Sequence, residues 1–211
     1  MAPTVLEEHA VGVGLYKSIN TKNTRTNQGA GVLYSQSLRR LLRQFHQSAP
    51  ANKSSDIPKE WATKLSGLLE KVDDSLESTI STEAHAMAMR LLDLEHVTLT
   101  PTHGAVLRDH IIVDPDWGVH LIGFSNAQYD PWINDIATLD RDWWVYSPEL
   151  RSAFFTGYEM PLSEDDELLL RAKHLTDALE QWVFSTTHRS SRLDRSRSQR
   201  EVDSALGGTL F

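Results

Sequence analysis

The sequence contains no cysteine, so neither a disulfide framework nor a thiolate metal site is open to it. It also lacks any run of the roughly 18 apolar residues that a membrane-spanning helix requires. Residues 1–12 (MAPTVLEEHAVG) lack the layout of a signal peptide. Positive charge is in short supply: 21 Lys and Arg stand against 29 Asp and Glu, a formal net charge of -8. That balance gives no reason to expect nucleic acid as a partner and favours solubility. These absences predict a cytoplasmic chain without membrane or nucleic-acid partners. What remains is ordinary for a globular protein, 40% hydrophobic and 24% charged, and 211 residues suffice for one domain with a real core.

Three regions are expected. Residues 1–34 are polar and rich in Gly, Asn and Thr, and read as an N-terminal arm or loop, with a short strand at Val11 to Tyr16. Residues 35–188 carry the periodic segments. Leu38, Leu41, Leu42 and Phe45 recur at helical spacing from about Ser35. SAPANKSSD then reads as a linker. Beyond it, Pro58 suits a first helical turn ahead of the apolar stripe Trp61, Leu65, Leu68, Leu69, Val72 and Leu76. A third helix is predicted from about Thr82 to Leu94. Short β-type runs follow at Val97–Thr100, Ile111–Val113 and Val119–Ile122, and Asp-Pro-Asp-Trp-Gly (114–118) reads as the turn of an antiparallel hairpin. Helix resumes after Asp130-Pro131. Ser163 with Asp166 forms a capping-box pattern ahead of Leu169, Ala172, Leu175, Leu179 and Trp182. Residues 189–211 form a C-terminal segment rich in arginine and serine, and its arginines (Arg189, Arg192, Arg195, Arg197, Arg200) are a docking candidate on an acidic chain. The class is α+β, predominantly helical.

The chemistry-bearing stretch is Thr102-His-Gly-Ala-Val-Leu-Arg-Asp-His-Ile-Ile-Val-Asp114, then Leu121-Ile-Gly-Phe-Ser-Asn-Ala-Gln-Tyr-Asp-Pro131 and Asp135-Ile-Ala137. In this order it resembles the active-site region of the aminoglycoside phosphotransferase and choline kinase family. Pro148 to Asp166 resembles the helix pair that follows there, and Leu38 to His46 the helix that opens the family's C-terminal lobe. The resemblance implies the C-terminal lobe of a kinase-like fold. The β-sheet nucleotide lobe of family kinases is expected to be missing, because the stretch before Ser35 is short and the lone Gly-x-Gly of Val11 to Lys17 carries little weight.

The resemblance also assigns residues. The family's catalytic aspartate falls on Ala105 and its metal-binding aspartate on Gly123. Phosphoryl transfer needs a carboxylate at the acceptor hydroxyl and oxygen ligands for magnesium, so both positions read as degenerate, and no metal or cofactor is expected. His110 falls on a position that helps hold metal. His103 falls where the family's histidine braces the loop, and Asp135 where a carboxylate tethers its backbone. Asn126, Gln128, Asp135, Trp143 and Trp144 are the candidates for a binding groove.

Three functions are open at this stage. The first is a pseudokinase that binds a peptide, a small molecule or an active enzyme partner. It would act as an accessory subunit in a biosynthetic or modification pathway, as a homodimer or hetero-complex. The second is a repurposed enzyme in which His103, His110 and Asp109 move protons, for example in ring closure on ribosomally made peptides of the lanthipeptide or thioamitide kind. The third is residual phosphotransfer, completed in trans by another lobe; Asp109 could stand in for one lost carboxylate but not for both.

Overall fold

Leucines one or two turns apart lie on one face of a helix and need a common core. The computed structural model shows what that core is. It describes residues 36–72, 78–114, 118–142, 152, 154–155, 162–187, 199–203 and 205–206. Helix α1 (residues 36–46) buries Leu38 and Leu42. Strand β1 (Asn52–Ser54) leads into α2 (Asp56–Leu69), whose first turn contains the buried Pro58. The Ser54 hydroxyl accepts from the N–H groups of Asp56 and Ile57 at 3.2 and 3.3 Å, covering donors that a helix start leaves open. Helix α3 (Ser78–Leu92) packs on α2 through Ala84, Met87, Ala88 and Leu91.

The β elements follow. Strand β2 (Val97–Thr102) pairs antiparallel with β1 and with β5 (Gln128–Asp130), giving the order β1-β2-β5. Between them, β3 (Ile111–Val113) and β4 (Val119–Leu121) form a separate hairpin. At its turn, Asp114 accepts from the Gly118 N–H at 2.7 Å and lies 3.0 Å from His120 Nε2. Asp114 therefore works for the hairpin.

Helix α4 (Ile133–Asp142) turns Ile133, Ile136, Ala137 and Leu139 into the core. The longest helix among the described residues, α5 (Glu164–Thr187), runs across α2, α3 and α4 with Leu168, Leu169, Ala172, Leu175 and Leu179 buried. At about 1.5–3 kcal/mol for each fully buried leucine or isoleucine, this interior dominates stability. The capping box closes as drawn: the Asp166 N–H reaches Ser163 Oγ and the Ser163 N–H reaches Asp166 Oδ2, both at 3.1 Å. Trp132 Nε1 donates to the other oxygen of Asp166 at 3.0 Å, fastening the start of α5 to the start of α4.

Two expectations are corrected. Part of the supposed linker at 48–56 is strand β1, because Asn52–Ser54 faces Leu99, Thr98 and Val97 in register. The third helix spans Ser78–Leu92 instead of Thr82–Leu94. The strand proposed at Val11–Tyr16, Trp143, Trp144 and all of the C-terminal arginines except Arg200 lie outside the described residues. Among the described residues, no helix is long and apolar enough to cross a membrane.

Candidate functional site

The loop between β2 and β3 is built around one carboxylate. Asp135, in the first turn of α4, is 0% exposed. Its Oδ2 accepts from the His103 N–H at 2.8 Å, its Oδ1 from the Gly104 N–H at 2.8 Å, and His46 Nε2 lies 2.9 Å from Oδ2. Both oxygens are engaged, and the charge is answered by two backbone dipoles and an imidazole. Three segments far apart in sequence, at the end of α1, the end of β2 and the start of α4, meet at this residue.

Gly104 follows at φ 75°, in the left-handed region. A Cβ there would stand 2.3 Å from the carbonyl oxygen of Asn126, so only glycine lets the 124–127 turn approach the loop. The buried His103 ring is fixed at both nitrogens. Nε2 lies 2.8 Å from the Ile122 carbonyl, which requires it to carry the proton, and Nδ1 accepts from the Ala105 N–H at 3.3 Å. Phe124 packs against this ring, centroid to centroid 4.6 Å, and against Phe45 at 5.5 Å. With both ring nitrogens on backbone groups, His103 braces the loop.

His110 differs. Its Nδ1 lies 2.7 Å from the Ala105 carbonyl, so Nδ1 carries the proton and Nε2 keeps its lone pair. Among the described residues, Nε2 has no hydrogen-bond partner. The ring lies over Gly123, which has φ 79°. A Cβ on Gly123 would meet His110 Cδ2 and Nε2 at 2.9 Å and Cε1 at 3.1 Å. Ala105 is buried and offers only a methyl group. Asp109 is exposed on the short 3-10 turn Arg108–His110.

Behind the 124–127 turn lies a polar pocket of about 450 Å³, lined by Gly104, Asn126, Gln128, Asp130, Asn134 and Lys173 among others. Asp130 Oδ2 accepts from the carboxamides of Gln128, at 3.2 Å, and of Asn134. Burial holds the Asp130 carboxyl above the usual carboxylate range. The two carboxamides pull it back only in part, and nearby Asp135 adds to the rise. Lys173, from the middle of α5, is paired with Asp177 one turn on.

Of the residues picked out in the sequence, Asn126 and Gln128 come together in this pocket. Asp135 lies buried behind the loop and does not line the pocket, and His103, His110 and Ala105 form the loop itself. Sequence reasoning missed Asp130, Asn134, Lys173 and His46. The last left a trace, a histidine one place beyond Phe45 on the apolar stripe of α1.

A helical body carrying small antiparallel sheets, with a His-Gly loop tethered by the first turn of a helix, is the C-terminal-lobe architecture of a kinase-like phosphotransferase. A model of the phosphotransferase enzyme family matches residues 29–172, and the chain belongs to that family. Among solved structures it is similar to the choline kinase LicA from Streptococcus pneumoniae, with a TM-score of 0.59 and 15% identity over 84% of this chain and 64% of that one. An aminoglycoside phosphotransferase from Alicyclobacillus acidocaldarius gives 0.53 and 15% over 86% of this chain and 65% of that one. A type I macrolide 2'-phosphotransferase gives 0.52 and 14% over 81% and 58%. The chain thus spans less than two thirds of the length of these structures. No curated protein matches it.

The family resemblance implies magnesium, and Gly123 offers it no side-chain oxygen. At Gly123, where the resemblance places the metal-binding carboxylate, the His110 ring fills the space a side chain would need. Among the described residues, no group of three or more His, Asp or Glu side chains is placed to hold a metal ion.

Proposed function

We propose that this chain is a phosphotransferase-family protein that binds without transferring phosphate. It would serve as an accessory subunit that holds a peptide, small molecule or partner enzyme in a cytoplasmic biosynthetic or modification pathway. The observation that carries this reading is the pairing of His110 with Gly123 beside Ala105. Phosphoryl transfer is positioning plus neutralisation of charge. A methyl group cannot orient an acceptor hydroxyl or accept its proton, and a ring over a bare α-carbon provides no anionic oxygen for magnesium. A protein partner, either a second copy or another chain, is supported by Leu107, Ile122 and Phe124, which are 37%, 44% and 45% exposed around the loop.

The test is calorimetric titration with ATP and magnesium, alongside an assay for phosphate on an acceptor. No saturable heat and no product are expected. Saturable binding together with transfer would restore residual phosphotransferase activity and end the proposal. Light scattering on the purified chain examines the partner: a monomer that also captures no partner enzyme counts against the accessory role.

One observation favours a second reading, a repurposed enzyme. With Nδ1–H held by the Ala105 carbonyl, His110 presents a half-buried Nε2 with its lone pair, and Asp109 precedes it on the same 3-10 turn; such a nitrogen could move a proton during a ring closure on a peptide. Replacing His110 with alanine decides it. Lost product with retained binding supports catalysis, and unchanged product removes it.

A further inference from the structure

Strand β5 ends its sheet in the order β1-β2-β5. Its register against β2 pairs Thr100 with Asp130, Pro101 with Tyr129, and Thr102 with Gln128. Pro101 has no N–H, so the ladder bonds run through the flanking pairs. In an antiparallel ladder, the residue between two hydrogen-bonded pairs turns its own N–H and C=O away from the partner strand. The Tyr129 backbone therefore faces outward along β5, and the residue is 43% exposed. Among the described residues, nothing pairs with that edge.

Gln128 and Asp130, two residues apart, project to one face of β5, and both line the polar pocket. Lys173, on the same pocket wall, is paired with Asp177 and exerts only the smallest of the influences on the Asp130 carboxyl, while Asp135 faces His46. Asp130 has only neutral donors, the amides of Gln128 and Asn134, both on Oδ2, which leaves Oδ1 open. Its surroundings are short of donors as well. Among the described residues three buried side-chain polar atoms lack a partner, and two of them, Thr100 Oγ1 and Asn134 Oδ1, belong to residues beside Asp130. The carboxyl itself is held above its ordinary range by burial. A cationic donor entering the pocket meets the open oxygen of Asp130 on its wall, while an anion meets the same carboxylate unfavourably.

We propose that the pocket receives a lysine or arginine side chain from an extended peptide whose main chain pairs with Tyr129 along the edge of β5. Main-chain pairing supplies affinity along the strand, and the pocket reads one side chain. The proposal deepens the binding-protein reading and rests on it.

The test uses the full chain and a fluorescein-labelled peptide, acetyl-Val-Thr-Lys-Thr-Val-amide, followed by anisotropy. Exchanging its lysine for glutamine should weaken binding at least about tenfold, the loss of one charged hydrogen bond. Asp130→Asn should erase that preference. Tyr129→Pro removes the outward N–H and no ladder bond to β2, so it should weaken the lysine peptide by a similar factor. Circular dichroism and thermal midpoints establish that both variants are folded. N-acetyl-lysinamide is the arm for a free amine: if it binds as tightly as the peptide, main-chain pairing is wrong. Binding indifferent to lysine, Asp130 and Tyr129, or no peptide binding at all, overturns this inference and leaves the proposed function standing. That function falls only to the magnesium–ATP and phosphate-transfer result.

Discussion

The imidazole of His110 occupies the space into which a side chain at Gly123 would grow, with ring atoms 2.9 Å from the Cβ position. The two residues are complementary: a bulkier residue at 123 needs a smaller one at 110. This makes the absence of a carboxylate at 123 a packed arrangement with its own geometry.

Gly123→Asp should therefore destabilise the protein by about 1–3 kcal/mol, combining a left-handed backbone with a clash. His110→Ala in the same chain should recover part of that loss. A double-mutant cycle by denaturant unfolding measures the coupling, and strict additivity would show that the ring and the glycine are independent.

Asp135→Ala leaves the buried N–H groups of His103 and Gly104 and the ring of His46 without an acceptor. Hydrogen bonds to a charged group are worth about 1.5–3 kcal/mol each, so a loss of about 3–5 kcal/mol in unfolding free energy is expected, with Asp135→Asn in between. A change below 1 kcal/mol, again by denaturant unfolding, would remove the tether from its central place.

Asp130 gives a pH signature. Its folded carboxyl titrates above the ordinary value of 3.8, with burial as the main cause. A group with a raised folded pKa favours the fold when protonated. That contribution is full below 3.8 and is lost as pH rises through the raised value. Asp130→Asn stays neutral throughout. The midpoint of the variant minus that of the native chain should therefore climb across that window and level off above it. Thermal scans in matched buffers check this, and a difference that falls with pH would contradict it.

Ser163→Ala removes the oxygen that accepts the Asp166 N–H and should cost about 1 kcal/mol. Ser163→Gly should cost less in the cap itself. The readout is urea unfolding.

Local chemistry was legible in the sequence. The α2 stripe from Trp61 to Leu69, the Asp114–Gly118 turn and the Ser163–Asp166 box rest on spacings of four residues or fewer and are formed, whereas α2 stops at Leu69, short of Val72, and Leu76 lies outside the described residues. Strands β1 and β5 were not read, because Asn-Lys-Ser and Gln-Tyr-Asp show no apolar alternation and become strands only through their register on β2. The pocket was half legible. Asn126 and Gln128 lie next to the motif, while Lys173 comes from a helix read solely for its leucines. The contact of His46 with Asp135 spans 89 positions and no local pattern announces it.

Asp135 grips the loop from its buried side, through the N–H groups of His103 and Gly104, and so holds it independently of the side chain at 105. A scaffold secured from the rear tolerates replacement at the front. Side chains on the outward face can be exchanged here while the frame behind them keeps its shape.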